Sequence, residues 1–221
     1  MTSKNLHHTT RIALNHRSLS DAAAYLAGCD EDLKRIFDAH GVPPLWNRKP
    51  GFQTLIQIIL EQQVSLASAA AVFRRLQKEV VPLTPGRFSD LGMASLRSLG
   101  LTRQKASYCI HVADAACRRQ IDFDALSELD DASVEAALIR VKGVGPWTAN
   151  IYLLRAMCRP DIWPAGDIAL VSSLRSIKTR GRPLSPDDIS SIAGTWRPYR
   201  SVAARMLWQH YLSARSKKQE K

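Results

Sequence analysis

A glycine turn, Gly143-Val-Gly145, lies between two apolar helical patterns and is the part of the sequence most suited to binding a ligand. Glycine allows positive φ angles and has no Cβ atom to keep a ligand away from the backbone. Amide N–H groups in such a turn, followed directly by the start of a helix, form a concave site for an anion such as a phosphate group. An ordinary connection between helices, with glycine at the C-terminal cap of the first, has the same pattern. On local sequence alone both interpretations stay open.

Other side chains with candidate chemistry are an aspartate, a glutamine and the tryptophans. Asp167 directly precedes an apolar segment that begins at Ile168, so the local sequence predicts that it caps a helix, a position that aspartate favours. Gln63 lies at the polar end of an apolar segment, which is as typical of a helix end as of a binding residue. Tryptophans in a helical protein are usually core residues, and we interpret Trp46 and Trp163 in that way.

The elements that must position these residues are helices. Thr84-Pro85 and Ser185-Pro186 each place a capping hydroxyl before a proline, and Asp188 adds a capping-box pattern to the second. No alternating Val, Ile and Thr stretch bounded by turns indicates a strand. We therefore predict an all-α fold of about eight to ten helices. The clearest amphipathic face is formed by Phe52, Leu55, Ile56, Ile59 and Leu60.

The charge of the chain indicates the class of its partner. The 221 residues include 31 Lys and Arg against 20 Asp and Glu, which gives a formal net charge of +11. A charge of that size favours a polyanionic partner, either a nucleic acid or an anionic membrane surface, although basic proteins with neither exist. A length of 221 residues is enough for one compact body or two small lobes.

Several classes of protein are not supported by the sequence. It has no apolar leader at the N-terminus and no run of eighteen apolar residues, so we expect neither secretion nor membrane spanning. The four cysteines, at positions 29, 109, 117 and 158, form no C-x-x-C pair, which argues against a zinc ribbon or an iron–sulfur loop. Reduced thiols in a cytoplasmic protein, associated with the nucleoid if the source is bacterial, are the expectation.

The string Gly143-Val-Gly-Pro-Trp-Thr-Ala149 is more specific than the glycine turn alone. With Asp167, which follows Trp147 by twenty residues, it resembles the helix-hairpin-helix (HhH-GPD) DNA glycosylases of base excision repair. Within that superfamily the chain looks most similar to the alkylpurine branch, the 3-methyladenine DNA glycosylase II type.

Two further segments carry the same resemblance. Ile59-Leu-Glu-Gln-Gln-Val-Ser65 is similar to the segment that relatives insert into the duplex. Trp196-Arg-Pro-Tyr-Arg-Ser201, together with Trp208, is similar to the closing helix of the family. The matches together span about residues 50–212.

The resemblance implies a two-lobed, all-α fold with the active-site cleft between the lobes. One lobe would combine residues 1–50 with 161–221, and the other, residues 51–160, would carry the inserted segment and the hairpin. Longer relatives have an additional N-terminal β-rich domain. About fifty residues precede Phe52, so we expect the compact form without that domain.

The residue types in the hairpin also imply a reaction type. Bifunctional relatives have a nucleophilic lysine two positions after the second glycine, where this chain has Trp147. Lys142 precedes the first glycine and does not match that nucleophile. The resemblance therefore implies a hydrolase that removes an alkylated purine and leaves an abasic site without cutting the strand, with Asp167 as the catalytic carboxylate.

Several other roles follow from the resemblance. Trp147 and Trp208 match the tryptophans that line the pocket for the flipped base, and cationic purines stack well on indole. Gln63 matches the wedge that fills the gap in the base stack, and its neighbour Gln62 is a weaker candidate. The residues expected to contact the DNA backbone are Lys142, Gly143, Val144, Gly145, Thr148 and Lys105.

The resemblance implies no required cofactor. Relatives often hold a monovalent cation, Na⁺ or K⁺, beneath the hairpin, and the matching backbone carbonyls are those of Ile139, Val141 and Val144. Carbonyl oxygens suit a hard cation. The C-terminal cysteine loop of the endonuclease III-like relatives is missing, so no iron–sulfur cluster is expected.

The expected partner is double-stranded DNA that contains damaged bases, bound by a monomer. Two alternatives stay open. One is a helix-hairpin-helix protein that binds DNA without catalysis, and the other is a glycosylase for oxidised or deaminated bases. The range of lesions depends on the shape of the pocket, which the sequence does not define.

Overall fold

The protein is built from α-helices in two compact units. The computed structural model describes residues 13–179 and 181–219, and none of those residues lies in a strand. The central unit is Arg48–Met157, and the terminal unit combines the described residues up to Asn47 with those from Cys158 onward. The all-α fold expected from the sequence is confirmed.

The described part of the chain contains twelve α-helices, more than the eight to ten expected. None of the twelve is both long and apolar enough to cross a membrane. A 3-10 turn, Ala125–Glu128, precedes α8. In chain order the helices are α1 His16–Cys29, α2 Glu31–His40, α3 Phe52–Glu61, α4 Leu66–Glu79, α5 Pro85–Ser89, α6 Gly92–Ser98, α7 Arg103–Cys117, α8 Asp131–Ile139, α9 Pro146–Arg155, α10 Ile168–Lys178, α11 Pro186–Gly194 and α12 Arg200–Gln219.

Helix α3 forms the centre of the central unit. The sequence predicts one apolar face for this helix, but its buried residues extend around most of its circumference because α4, α7 and α9 all pack against it. Apolar burial on that scale is the main stabilising contribution in a helical core. The buried residues of α3 are Phe52, Thr54, Leu55, Ile56, Ile58, Ile59 and Leu60.

Helix α12 has the same function in the terminal unit. Val202, Ala203, Met206 and Leu207 are fully buried, and α1, α2 and α10 pack against the helix. The unit is therefore assembled from two segments of chain that are more than a hundred residues apart.

Local capping explains where several helices begin. The Ser185 hydroxyl accepts from the Asp188 amide, and Asp188 Oδ2 accepts from the Ser185 amide, which confirms the predicted capping box. Thr84 is the residue before α5, as expected, but its hydroxyl makes no capping hydrogen bond. Pro85 at the first helical position starts that helix by fixing φ.

A polar cluster connects α2, α10 and the segment after α11. Asp30 accepts from the Lys178 ammonium at 2.7 Å and from the Trp196 indole at 2.9 Å. Lys178 also pairs with Asp32 at 2.8 Å. Burial alone would raise the pKa of Asp30, but the hydrogen bonds from Lys178, Trp196 and the Leu33 amide together hold it below its usual value. The cluster fixes the C-terminal end of α10.

Candidate active site

The hairpin connects α8 to α9 in the central unit. Gly143 has φ +98°, which is the left-handed conformation expected for glycine in a tight turn. Gly145 has φ −91° and ψ 176°, so of the two glycines only Gly143 has a positive φ. Gly145 is the residue that caps α9, and no side chain caps that helix. The two glycines therefore have different functions in the turn.

The space around the two glycines differs as well. A Cβ atom on Gly143 would lie 2.3 Å from Cγ of Tyr108, so the turn packs directly on that ring. A Cβ atom on Gly145 would meet nothing within 4 Å. Gly143 is required by the packing of the protein itself, whereas Gly145 keeps the backbone accessible to a ligand.

The predicted DNA-contact amide of Val144 is used inside the turn. It donates to the Val141 carbonyl at 3.0 Å, and the Val144 side chain is buried. Lys142, by contrast, is exposed. Of the contacts expected in the turn itself, Lys142 and Gly145 are the ones that the fold leaves exposed, and Gly143 is half-buried.

The expected cation ligands are backbone carbonyls of the same turn. The Val141 carbonyl already accepts the Val144 amide, and a carbonyl oxygen has a second lone pair that a cation can use. Ile139 is partly exposed at the end of α8. The chemistry of these donors fits a monovalent cation. Across the described ranges, no group of three or more His, Cys, Asp or Glu side chains could hold a metal ion.

Two adjacent glutamines at the end of α3 occupy opposite environments. Gln62 Nε2 donates to Thr148 Oγ1 at 2.8 Å and to the Gly143 carbonyl at 3.3 Å, which ties α3 to the hairpin. Gln63 is exposed and has φ +55°, an uncommon conformation for a residue other than glycine. The structure therefore presents Gln63 to solvent and turns Gln62 toward the protein.

Thr148 and Lys105, both expected at the DNA backbone, have internal partners instead. Thr148 is 1% exposed and its hydroxyl is bonded to Gln62. The Lys105 ammonium donates to the Leu60 carbonyl at 2.6 Å, where it satisfies the C-terminal end of α3. Burial lowers the pKa of Lys105. Both side chains stabilise the frame of the hairpin in this structure, and their assignment to phosphate binding stays a prediction.

A buried carboxylate at the end of α3 was missed from the sequence. The Glu61 side chain is 7% exposed and pairs with Arg48 at 2.6 Å and with Arg155 at 3.3 Å. It connects the last turn of α3 to the end of α9 within the central unit. In the sequence Glu61 is only one more polar residue beside the two glutamines, because its two arginine partners lie 13 and 94 residues away along the chain.

Asp167 is the residue that caps α10 in the terminal unit, as the local sequence predicts. Its Oδ1 accepts from the Leu170 amide at 3.0 Å and from the Trp208 indole at 3.1 Å. The carboxyl group is half-buried. Two donors on one oxygen restrict its rotation, so the group is held in a single orientation. A fixed carboxylate of this kind can stabilise positive charge or accept a proton from water.

The tryptophans of the terminal unit form two separate pairs. Trp208 is 7% exposed, and its ring meets Trp46 edge to face with 6.4 Å between the ring centroids. Trp163 packs instead on Trp196 at 5.7 Å. Trp46 and Trp163 are both half-buried and each packs on a second tryptophan, and their interpretation as core residues stays a prediction. Trp208 therefore contacts Trp46 through its ring and Asp167 through its indole N–H.

Trp147 is the second residue of α9 in the central unit and is half-exposed. It therefore stands on the first turn of the helix that follows the hairpin. The position at which a lyase has its lysine is occupied here by an indole, which has no nucleophilic amine.

A groove of about 950 Å³ lies along α10 and α12 in the terminal unit. Gly166 and Ile168, the neighbours of Asp167, form part of its lining, and Arg175 and Arg215 add positive charge. Ile168 is 77% exposed, which is unusual for a large apolar side chain. The groove is therefore lined by the residues on either side of Asp167, and Asp167 itself is not among the lining residues.

The family of the chain is established by comparison with known proteins. The model of the HhH-GPD superfamily, described as base excision DNA repair proteins, matches residues 56–195, well over half of the chain. The chain belongs to this superfamily. The matched residues include Gln63, the hairpin and Asp167.

Individual HhH-GPD proteins are similar to the chain over most of its length. The DNA-3-methyladenine glycosylase of Bacillus subtilis is 26% identical over 181 residues, which cover 76% of this chain and 58% of the relative. DNA-3-methyladenine glycosylase 1 of Schizosaccharomyces pombe is 26% identical over 206 residues, which cover 87% of each. The chain therefore spans less than two thirds of the length of two B. subtilis relatives. It covers 58% of this enzyme and 64% of the putative DNA-3-methyladenine glycosylase YfjP.

A solved HhH-GPD structure has the same fold. The S. pombe 3-methyladenine DNA glycosylase Mag1, solved in complex with abasic-DNA, matches with a TM-score of 0.76 at 24% identity. The match covers 86% of this chain and 95% of Mag1.

Proposed function

We propose that the protein is a monofunctional DNA glycosylase that hydrolyses the N-glycosidic bond of alkylated purines, of the 3-methyladenine type, in duplex DNA. The observation that carries the proposal is the Asp167 carboxyl group, held at the start of α10 by Leu170 and Trp208. Membership of a base excision repair superfamily and the names of its relatives support it.

Asp167 acts on the sugar. Cleavage of an N-glycosidic bond passes through an oxocarbenium-like state, in which positive charge develops on the sugar ring. A carboxylate that is already oriented stabilises that charge and accepts a proton from the attacking water. An alkylated purine carries a positive charge of its own and leaves without a strong general acid. One carboxylate is therefore sufficient for the reaction.

The hairpin residues define the type of product. A lyase forms a covalent Schiff base through a lysine amine, and Trp147 cannot form one. Hydrolysis by water leaves an abasic site and an intact strand.

DNA binding uses the accessible part of the same hairpin. Lys142 and the backbone at Gly145 contact phosphate, and Gln63 fills the space that the flipped nucleotide leaves. A monovalent cation on the carbonyls of Ile139, Val141 and Val144 would supply positive charge to a phosphate at that turn.

The test is release of bases from methylated duplex DNA by the wild type and by Asp167→Asn under single-turnover conditions. Asparagine is also a good helix cap, so the variant keeps α10 and loses only the charge. We expect release to slow by about a hundredfold or more. Equal release by both proteins would contradict the catalytic role of Asp167.

The same assay separates the alternatives. A DNA-binding protein without catalysis would bind the duplex and release no base from it. A panel of 3-methyladenine, 7-methylguanine, ethenoadenine, hypoxanthine and uracil identifies a glycosylase for other lesions. Treatment with borohydride is expected to trap no covalent adduct, and an adduct would overturn the monofunctional assignment.

A further inference from the structure

We propose that the groove along α10 and α12 is a second phosphate site, which binds the backbone of the damaged strand a few nucleotides away from the flipped base. All of its lining residues belong to the terminal unit, whereas the hairpin belongs to the central unit. The inference rests on the proposed glycosylase function and deepens it, because it assigns a DNA contact to residues that the sequence does not single out.

The lining of the groove is positively charged. It includes Arg175 on α10 and Arg215 on α12, and none of the described residues that line it is an aspartate or a glutamate. Burial and the neighbouring His40 lower the pKa of His210, which also lines the groove. His210 is therefore neutral at pH 7, and the charge comes from the two arginines. Arginines without a neutralising carboxylate attract an anion.

The two arginines are available to a ligand. Neither forms an ion pair with a carboxylate in the part of the chain that the structure describes. Arg215 is exposed and lies over the Tyr211 ring, 5.7 Å from its centroid, and its Nη1 donates to the Tyr211 hydroxyl at 3.3 Å. A guanidinium has five N–H donors in a planar fork that matches phosphate oxygens, so most of the donors of Arg215 stay unused.

Two buried polar atoms at the groove also have unused hydrogen-bonding capacity. Ser173 is 2% exposed, and within the described ranges neither its hydroxyl oxygen nor Nε of Arg175 has a hydrogen-bond partner. Both residues line the groove. A buried polar group without a partner costs free energy and is uncommon in proteins. An anion bound in the groove would supply the acceptor that both donors lack.

The position of the groove indicates the source of the phosphate. Gly166 and Ile168, the residues on either side of Asp167, line the groove where α10 begins. In the proposed function Asp167 acts on the sugar of the flipped nucleotide, so the strand that carries this nucleotide continues past these neighbours. Ile168 is 77% exposed, and a strand that covers it removes apolar surface from water. The damaged strand therefore fits the groove better than a free anion does.

The length of α10 gives the distance along the strand. Arg175 lies about two turns after Ile168, which is about 10 Å along the helix axis. A strand of duplex DNA advances by about 3.4 Å per nucleotide. We therefore expect the arginine to contact a phosphate about three nucleotides from the flipped base.

The experiment measures binding to a duplex with a stable abasic analogue, so that no catalysis is involved. In the damaged strand, each of the nearest phosphates on either side of the analogue is replaced in turn by an uncharged methylphosphonate. Fluorescence anisotropy is expected to show that the wild type loses about tenfold in affinity at one position beyond the phosphates that adjoin the analogue. In Arg175→Ala and in Arg215→Ala the unmodified duplex should bind about tenfold more weakly, and the replacement at that position should have no further effect.

Two more variants serve as controls. Arg17 is exposed on α1 and does not line the groove, so Arg17→Ala should keep the full response to the replacement. Ser173→Ala removes a hydroxyl without an internal partner, so its unfolding midpoint should not fall, while binding of the duplex weakens by about threefold. Thermal unfolding checks that each variant folds, and the exposed Arg215 decides the matter if Arg175→Ala does not fold.

The proposal is wrong if every methylphosphonate weakens binding equally in the wild type and in Arg215→Ala. Titration with AMP separates a strand from a small anion. AMP that binds the wild type and not Arg215→Ala, without a sensitive position in the duplex, would assign the groove to a free nucleotide and overturn the strand site.

Release of methylated bases tests the glycosylase function independently. A protein that releases bases but has no position that depends on Arg215 is a glycosylase without this strand site. A protein with such a position that releases no base retains the DNA contact in the groove, and the glycosylase function is then wrong.

Discussion

Gln62 and Gln63 are identical in type and adjacent in sequence, yet the backbone gives them different tasks. At the end of α3 the chain turns through a positive φ at Gln63. Gln62 is thereby directed at the hairpin, where it bonds to Thr148 and the Gly143 carbonyl, while Gln63 is exposed to solvent. Residue type alone could not have separated a structural brace from a candidate wedge.

Alanine substitution of the two glutamines should affect different properties: stability for Gln62 and base excision for Gln63. Gln62→Ala leaves buried polar groups of the hairpin without their donor and is expected to destabilise the protein by about 1–2 kcal/mol. Gln63→Ala removes no internal hydrogen bond and should leave the unfolding midpoint close to that of the wild type, while base excision from duplex DNA slows. Urea unfolding and single-turnover excision measure the two effects. A Gln63→Ala variant with normal excision would exclude it as the wedge.

The two hairpin glycines, Gly143 and Gly145, allow a second comparison between two residues of the same type. Gly143→Ala combines a strained φ with a collision against Tyr108, and we expect a loss of about 2 kcal/mol or more in the free energy of unfolding. Gly145→Ala has an extended backbone and open space, so it should cost less than about 1 kcal/mol.

Among the molecules that are folded, Gly145→Ala should weaken DNA binding more than Gly143→Ala does. A methyl group at Gly145 obstructs a phosphate, and the loss of a hydrogen bond to a charged group predicts binding weaker by about tenfold. Fluorescence anisotropy with a labelled duplex measures it. Normal binding by Gly145→Ala would show that DNA does not approach the hairpin at this glycine.

At the scale of elements, the position of α10 depends on both of its ends. Asp167 caps the first turn, and Lys178 in the last turn is held by Asp30 and Asp32. Because Trp196 also donates to Asp30, the cluster fixes α10 relative to α2 and the chain before α12. The direction of the Asp167 carboxyl group thus depends in part on contacts at the opposite end of its helix.

The pH dependence of the stability of Asp30→Asn should show how much the charge of Asp30 contributes to this cluster. The pKa of Asp30 is lower in the folded protein than in the unfolded chain, so its charge stabilises the fold above the unfolded pKa of about 4. That contribution is lost as the pH falls through the folded pKa. We expect Asp30→Asn to be less stable than the wild type by about 1–3 kcal/mol at neutral pH.

The difference between the two proteins should narrow as the pH falls below about 4, because the wild-type carboxyl group is then protonated as well. Denaturant unfolding at neutral and acidic pH measures it. A difference in stability that does not change with pH would mean that the charge of Asp30 contributes nothing.

Local signals in the sequence predicted where individual helices begin better than they predicted which distant residues those helices contact. The start of α11 at Ser185 and the cap at Asp167 depend on neighbouring residues and are as predicted. The hydrogen bond from Trp208 to Asp167 joins residues 41 positions apart, and the anchoring of Leu45 by Arg205 joins residues 160 apart. Such pairings depend on how helices pack, which periodicity does not specify. The half-buried position of Trp46 could therefore not be predicted.

At the scale of the whole molecule, the formal charge of +11 favours binding to DNA through phosphates. Not every lysine contributes equally to that binding. Lys142 is exposed on the hairpin, whereas the Lys105 ammonium is bonded to the Leu60 carbonyl. The sequence predicts both lysines at the DNA. Substituting each one therefore tests whether DNA binding depends on the position of a positive charge or only on the total charge.

Binding of duplex DNA should weaken steeply with salt, since each neutralised phosphate releases counterions. Lys142→Ala is expected to reduce the slope of log affinity against log salt by about one. Lys105→Ala should leave the slope unchanged and lower the stability instead. Anisotropy titrations at several salt concentrations measure both slopes. An unchanged slope in Lys142→Ala would place the phosphate contacts elsewhere.

The terminal unit is made from the earliest and the latest described parts of the chain, and this has a consequence during synthesis. The central unit, Arg48–Met157, can fold once it has left the ribosome, whereas α1 and α2 must wait for α12, against which they pack. Asp167 likewise gains its indole partner only when Trp208 emerges. A nascent chain therefore displays the hairpin before the Asp167 carboxyl group has the indole partner that restricts its rotation.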